Sequence, residues 1–194
     1  MVILYIILFI FFDKSIDLWM HENLSDTLIE TIGKYLSFLA NPHYNMLVMF
    51  FCFGYIFVVD PSIEKTSTKK LLYVLIVVSI AIIIGSGLKY LLGRYRPVML
   101  FDHNLYGFHF FATEWALNST PSGHTIRAFS FFTALSLLFR QYRIIFVSIA
   151  IAIGLSRVVV TAHYPSDVLF GAFVGIMVAL WLDNYFINVD AIKI

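Results

Sequence analysis

The sequence predicts an all-α fold: a polytopic membrane helical bundle of about six transmembrane helices, with one amphipathic helix lying in the interface. Hydrophobic residues make up 60% of the 194 and charged residues only 13%, with a mean hydropathy of +0.87. Such a balance cannot clothe a water-facing surface, so the bilayer is the expected solvent. The apolar residues are also gathered into long runs separated by short polar turns. Helices of about 20 residues each leave little chain for anything else, so residues 1–194 are expected to form a single membrane domain.

The first run, residues 2–12, spans only about 17 Å at 1.5 Å per residue, short of the ~30 Å hydrocarbon core. Extended to Trp19-Met20 it suffices, with Asp13, Lys14 and Asp17 expected near the far interface. A cleaved leader is the competing reading, against which stand the missing basic start and the missing Ala-x-Ala site. Next, Leu24, Leu28, Ile32, Tyr35 and Leu39 recur at helical spacing opposite Asp26, Glu30 and Lys34, the pattern of a helix lying in the interface. Clear spans follow at 46–59, ended by Asp60-Pro61, and at 71–88, which carries no charge. The run 123–139 holds a single charge, Arg127; 144–162 contains Arg157; 168–182 ends at Asp183-Asn184. Pro121 and Pro165 are expected to open the helices they precede, the position a helix tolerates best.

Charge sets the orientation. The short turns at 60–70 (Lys65, Lys69, Lys70) and 140–143 (Arg140, Arg143) are basic and are expected in the cytoplasm. Counting spans from there puts 89–97, 121–124 and 163–167 together on the opposite, non-cytoplasmic face. A net charge of +1 argues against nucleic acid as a partner, and Cys52 alone offers neither a disulfide nor a cysteine zinc site. His103 and His109 have no ligand spacing that matches a metal pattern, so no metal and no cofactor are expected.

The residues brought to that face carry chemistry. Lys89, Arg94 and Arg96 follow the third span. Basic residues at a span end ordinarily snorkel to lipid headgroups, yet these lie on the face that the positive-inside rule disfavours, where an anionic ligand gives them a purpose. Pro121-Ser122-Gly123-His124 reads as a helix start whose free N–H groups and dipole suit an anion. Ser122 adds a hydroxyl, and His124 overhangs the site, able to give a proton. A capped helix with an interfacial histidine is the bland alternative. Arg157 lies inside a span among valines, where a guanidinium costs about 2.5–3.5 kcal/mol. With Pro165 first in its helix, Asp167 falls in the first turn, favoured there by the dipole and within reach of His163 just outside, whose nucleophilicity it would raise.

The pattern Lys89-x6-Arg96-Pro97, Pro121-Ser-Gly-His124, Ser156-Arg157-x5-His163-x3-Asp167 resembles the three-part signature of the type 2 phosphatidic acid phosphatases. This superfamily also contains vanadium haloperoxidases and soluble acid phosphatases. The resemblance implies a metal-independent phosphatase acting on a lipid phosphate. His163 would form a phosphohistidine, Asp167 orient it and His124 protonate the departing alcohol. Lys89, Arg96, Arg157, Ser122 and the Gly123 N–H would hold the phosphate oxygens, with Arg94 in support. Two departures stand out. Asn118-Ser119-Thr120 occupies the place where many members carry a Ser-Phe pair. Arg127, one turn into the fourth span, is a further cation that could meet a second phosphate, a sugar or merely a headgroup. Undecaprenyl diphosphate, phosphatidylglycerophosphate, phosphatidic acid and a lipid A phosphate remain open as substrates, in a bacterial cytoplasmic membrane with the site facing outward. A phosphotransferase that passes the group to another lipid, and a silent lipid-phosphate-binding bundle, are the alternatives. Oligomeric state is left open.

Overall fold

The computed structural model describes residues 1–188; the last residues of the expected 1–194 domain, 189–194, lie outside the described residues. Within these bounds the chain is helical apart from its connections. The helices are α1 (Val2–Ile7), α2 (Asp13–Leu24), α3 (Leu28–Phe38), α4 (Pro42–Val59), α5 (Thr66–Leu92), α6 (Pro97–His103), α7 (Gly123–Leu138), α8 (Arg143–Val159) and α9 (Pro165–Asn188). A π-helical turn, Leu8–Phe12, joins α1 to α2 without a break.

Among the described residues, four stretches are long and apolar enough to cross a membrane: Leu28–Val59, Thr66–Leu92, Arg140–Val159 and Pro165–Phe186. The protein is an integral membrane protein. α7, at 16 residues, is shorter, and 2–24 carries acids; these two complete the bundle, so a count of six is approximate. Lipid-facing positions are plain in the exposures of Phe57 (79%) and Ile144 (82%). Such side chains would be untenable against water but match hydrocarbon.

The core runs between α5, α7 and α9. Tyr73, Val74, Val77, Val78 and Ala81 pack with Ile126, Ala134, Val174, Val178, Ala179 and Leu182. The α5 positions recur three and four apart, which puts them on one helix face. α9 meets α7 at backbone distance because Gly171 and Gly175 carry no side chain. A Cβ at Gly175 would lie 2.8 Å from both the Ile126 carbonyl oxygen and the Ser130 nitrogen, the close approach that small residues four apart permit. That contact brings the starts of α7 and α9 together.

α3 leaves its apolar stripe to lipid and buries its small residues against the protein. Leu28, Ile32, Tyr35 and Leu39 are 74%, 50%, 76% and 61% exposed, whereas Gly33, Ser37 and Ala40 face the protein. The apolar stripe is left to lipid, and the small residues let α3 seat against Val159 and Val160 at the end of α8. Pro165 opens α9 as expected. Pro121 does not open α7; it precedes the N-cap residue Ser122, after a cis Thr120–Pro121 peptide bond.

Antiparallel succession puts the C-terminal ends of α5 and α8 beside the N-terminal ends of α7 and α9. The opposite end carries the basic turns, where the Lys70 ammonium lies over the Phe139 ring at 5.5 Å.

Candidate active site

The sequence-predicted residues arrive from four helix ends. Lys89 is in the last turn of α5, which stops at Gly93 in a left-handed conformation (φ 45°). A Cβ at Gly93 would run into the His109 carbonyl oxygen, so the turn that throws Arg94 and Arg96 inward needs glycine. The Lys89 Nζ donates to the Asn118 carbonyl at 2.8 Å, and an Arg96 Nη donates to the same carbonyl at 3.4 Å. Arg96 is braced further by its Nε on the Trp115 carbonyl (2.9 Å) and by the Trp115 ring, 4.3 Å beneath its guanidinium. Its other Nη reaches the Ala162 carbonyl, beside His163, at 3.5 Å.

α7 begins at Gly123 with Ser122 as its N-cap, and the Ser122 N–H donates to the Asp167 carbonyl at 3.0 Å, stitching the two helix starts together. The buried Ser122 hydroxyl accepts from the Thr125 hydroxyl at 2.9 Å, which leaves its own hydrogen for a ligand. A Cβ built on Gly123 would sit 3.5 Å from Lys89 Cε and 3.6 Å from an Arg127 Nη. Both cations therefore flank the free N–H groups of the first turn. His124, the next residue, is half-buried, and its imidazole makes no hydrogen bond among the described residues.

Arg157 is 9% exposed. One Nη donates in a short hydrogen bond to the Ser37 hydroxyl of α3, while its Nε has no protein partner. Arg127 is held from the same segment, by its Nε on the Ala40 carbonyl at 3.1 Å. Past Arg157 the chain folds back, with the N–H groups of Ala162 and His163 on the Arg157 carbonyl at 3.0 and 3.3 Å. This turn puts the buried imidazole of His163 over the cations.

Asp167 is 0% exposed, and its surroundings differ from the expected simple pairing with His163. The nearest carboxylate oxygen, Oδ2, is 3.9 Å from His163 Nδ1, too long for a hydrogen bond. Between them stands Ser119, whose hydroxyl donates to Oδ2 at 2.5 Å and lies 3.5 Å from Nδ1. Oδ2 also accepts the Tyr164 N–H at 3.1 Å, the reach-back of a capping box. Oδ1 accepts from Arg94 at 2.6 Å.

Arg94 is fully buried and ion-paired to Asp13 of α2 at 2.7 Å as well as to Asp167. Burial opposes its charge, but the carboxylates of Asp167 and Asp13 outweigh it and hold the guanidinium above its ordinary pKa. Arg96 has no such partner: burial pushes it down to about 10, still a cation at neutral pH. Burial, then the positive charges of Arg96, Lys89 and Arg157, push His163 well below its ordinary value, and Asp167 only partly offsets them. The imidazole is held neutral, with a free electron pair. Among the described residues no carboxylate lies within ion-pair distance of Lys89, Arg96, Arg127 or Arg157.

The structure brings in residues that sequence reasoning passed over. Ser119 was noticed only as a departure before the second motif. Asp13 and Asp17, expected near the interface, are both 0% exposed, and neither oxygen of Asp17 has a protein partner. Their spacing of four residues near the end of an apolar run was the available signal, since paired acids on one face of a membrane helix rarely lie unpartnered.

The PAP2 superfamily profile matches residues 70–189. A lipid A 1-phosphatase of Rhizobium johnstonii is 42% identical over 97 residues, which are 48% of this chain and 40% of that protein. A lipid A 1-phosphatase of Rhizobium etli is 44% identical over 88 residues, 45% of this chain and 38% of that protein. The chain thus spans about 40% of the length of these curated relatives. The crystal structure of LpxE from Aquifex aeolicus superposes with a TM-score of 0.65 at 20% identity, over 89% of this chain and 95% of the other. At that identity the likeness is one of fold.

Proposed function

Because the chain belongs to the PAP2 superfamily, we propose that it is a lipid phosphatase, a single membrane domain that hydrolyses a lipid phosphate through a phosphohistidine. The observation that carries this reading is the set of cations around His163 and the start of α7 that have no counter-ion among the described residues. A phosphate supplies the missing charge, and phosphoryl transfer asks mainly for positioning and charge stabilisation.

In this reading Lys89, Arg96 and Arg157, the Ser122 hydroxyl and the Gly123 N–H hold the non-bridging oxygens. His163 Nδ1 faces Ser119 and Asp167, which leaves Nε2 to attack phosphorus as the bond to the lipid oxygen breaks. His124, which takes up a proton as the bound phosphate dianion offsets the cations around it, gives that proton to the departing oxygen and the lipid alcohol leaves. Water, deprotonated by the now neutral His124, then attacks the phosphohistidine, returning inorganic phosphate and free His163. No metal and no cofactor enters these steps.

The names of the relatives put lipid A 1-phosphate first among candidate substrates, ahead of undecaprenyl diphosphate, phosphatidylglycerophosphate and phosphatidic acid. The basic turns at Lys65, Lys69, Lys70, Arg140 and Arg143 lie at the end opposite the site, which supports a site on the non-cytoplasmic face of a bacterial inner membrane. Phosphate release from that panel by the detergent-purified protein, with EDTA present and His163→Ala as control, tests the proposal. Release that survives EDTA and vanishes in the variant supports it. Transfer to an added acceptor lipid without release would replace it with a phosphotransferase, and binding without turnover would leave a silent lipid-phosphate-binding bundle.

A further inference from the structure

The two helix N-termini at the site are used differently. The start of α7 has Lys89 and Arg127 around it, and among the described residues no carboxylate pairs with either. The start of α9 already holds one: Asp13, delivered by α2 from the other end of the sequence. Asp13 Oδ1 accepts the Ser166 N–H, the second residue of α9, at 3.0 Å, and Oδ2 accepts the Ser166 hydroxyl in a short hydrogen bond. A carboxylate on the free N–H groups of a helix start is a favourable pairing.

The same Oδ2 takes an Arg94 Nη at 2.7 Å, while the other Nη donates to Asp167 Oδ1 and the Ser166 hydroxyl, each at 2.6 Å. Tyr106 closes the cluster. Its hydroxyl accepts from Arg94 at 2.9 Å and donates to the Phe9 carbonyl at 2.5 Å. Phe9 lies in the π turn, where the Asp13 N–H donates to the Leu8 carbonyl at the longer spacing, so this carbonyl is turned to the protein just ahead of Asp13. Aromatic rings of Phe9, Tyr106 and Tyr164 enclose the Arg94 guanidinium at 4.8, 5.2 and 4.2 Å.

We propose that Asp13 is a positioning residue for Asp167, acting through Arg94. Arg offers a planar fork that would, left to itself, take both oxygens of one carboxylate. Asp13 occupies one prong. Arg94 therefore grips only Oδ1 of Asp167, and Oδ2 stays turned toward Ser119 and His163. Without Asp13 the freed prong competes for Oδ2 and draws it off the imidazole. The family match begins at residue 70, so Asp13 lies outside the signature on which the proposed function rests.

The inference depends on the reading of His163 and Asp167 as the reacting pair. Asp13→Asn keeps the shape and an acceptor for Ser166 and removes the charge. In the full-length protein, with folding checked by thermal melting, kcat is expected to fall about 10–100-fold, the loss typical of a supporting contact behind a reacting group. KM is expected to stay within about twofold, since Asp13 touches no phosphate ligand. In an Arg94→Lys background the same change is expected to cost little more. A folded Asp13→Asn protein with wild-type kcat, or losses that multiply fully in the double variant, would overturn the proposal. Should Asp13→Asn fail to fold, Ser166→Ala loosens the same joint without stranding a charge. A several-fold drop in kcat at unchanged KM is then expected, and an unchanged kcat overturns the idea. Orthovanadate, a phosphate analogue able to bond an imidazole, separates this from failure of the phosphatase reading. If the wild type turns over no lipid, vanadate affinity is read instead; weakening in the variant supports the positioning role, and equal affinity refutes it.

Discussion

Replacing Ser119 by alanine isolates the link between His163 and Asp167. The Ser119 hydroxyl is buried, donates to Asp167 Oδ2 at 2.5 Å and lies 3.5 Å from His163 Nδ1, across a carboxylate–imidazole gap of 3.9 Å. A hydrogen bond to a charged group contributes about 1.5–3 kcal/mol. In Ser119→Ala, Oδ2 keeps only the Tyr164 N–H, and the imidazole loses the hydroxyl that relays the carboxylate's field. If that energy is expressed in the transition state, kcat falls by roughly one to two decades. KM should change little, because the Ser119 hydroxyl faces Asp167 and His163, while the Asn118 carbonyl that holds Lys89 and Arg96 is untouched by the substitution. The assay is steady-state phosphate release over a range of lipid concentrations, with a melting curve alongside. A kcat within threefold of wild type would refute the relay. A higher kcat would refute it differently, by showing that Asp167 closes the gap and binds the imidazole itself once the hydroxyl is gone.

His163→Ala is expected to abolish turnover while leaving a folded protein; residual activity near wild type would sink the nucleophile assignment. The same variant tests pH linkage. His163 has a folded pKa below its unfolded value near 6.5, so the unfolded chain binds the extra proton. Wild-type stability should then fall as pH drops below about 6.5, and less steeply in His163→Ala; parallel curves would show that the imidazole is not suppressed. Arg157→Lys should lower kcat by about 10²–10³, the loss typical of removing one transition-state donor, because an ammonium cannot replace the fork; a mild effect would favour simple snorkelling. Arg127→Gln should raise KM for lipid diphosphates more than for monophosphates, since Arg127 flanks Gly123 beside Lys89; equal changes would reassign it to headgroup contact. Gly175→Val, with a Cβ 2.8 Å from backbone atoms of α7, should cost about 1–3 kcal/mol or more, and an unchanged melting temperature would show that α9 can stand off from α7.

The sequence made the bundle and the meeting of its motifs legible because both follow from short-range rules. Apolar runs mark helices, and alternation of spans brings residues 89, 124, 157 and 163 to one face. What stayed hidden was set by partners distant in the chain. The stripe of α3 read as amphipathic, yet which side faces protein was decided by Gly33 and Ser37 fitting against α8. Arg94 read as a spare cation beside the motif. Its burial between Asp13 and Asp167 depends on a π turn that periodicity does not encode. Ser119 was visible only as a departure, and its place between His163 and Asp167 follows from a fold-back that no spacing rule describes.

The joint between Asp13 and Ser166 also bears on how the protein is made. Asp13 leaves the ribosome 153 positions ahead of Ser166. Until Arg94 and then α9 arrive, α2 carries a carboxylate with no partner, near the membrane face, at a cost below the roughly 2.5–3.5 kcal/mol of a charge at a helix centre. Its firm seating therefore waits for α9. The start of α2 and the start of α9 lock each other, and the histidine proposed as nucleophile gains its ordered surroundings in that same event. Under the proposed mechanism, reactivity appears only once α9 has docked against α2.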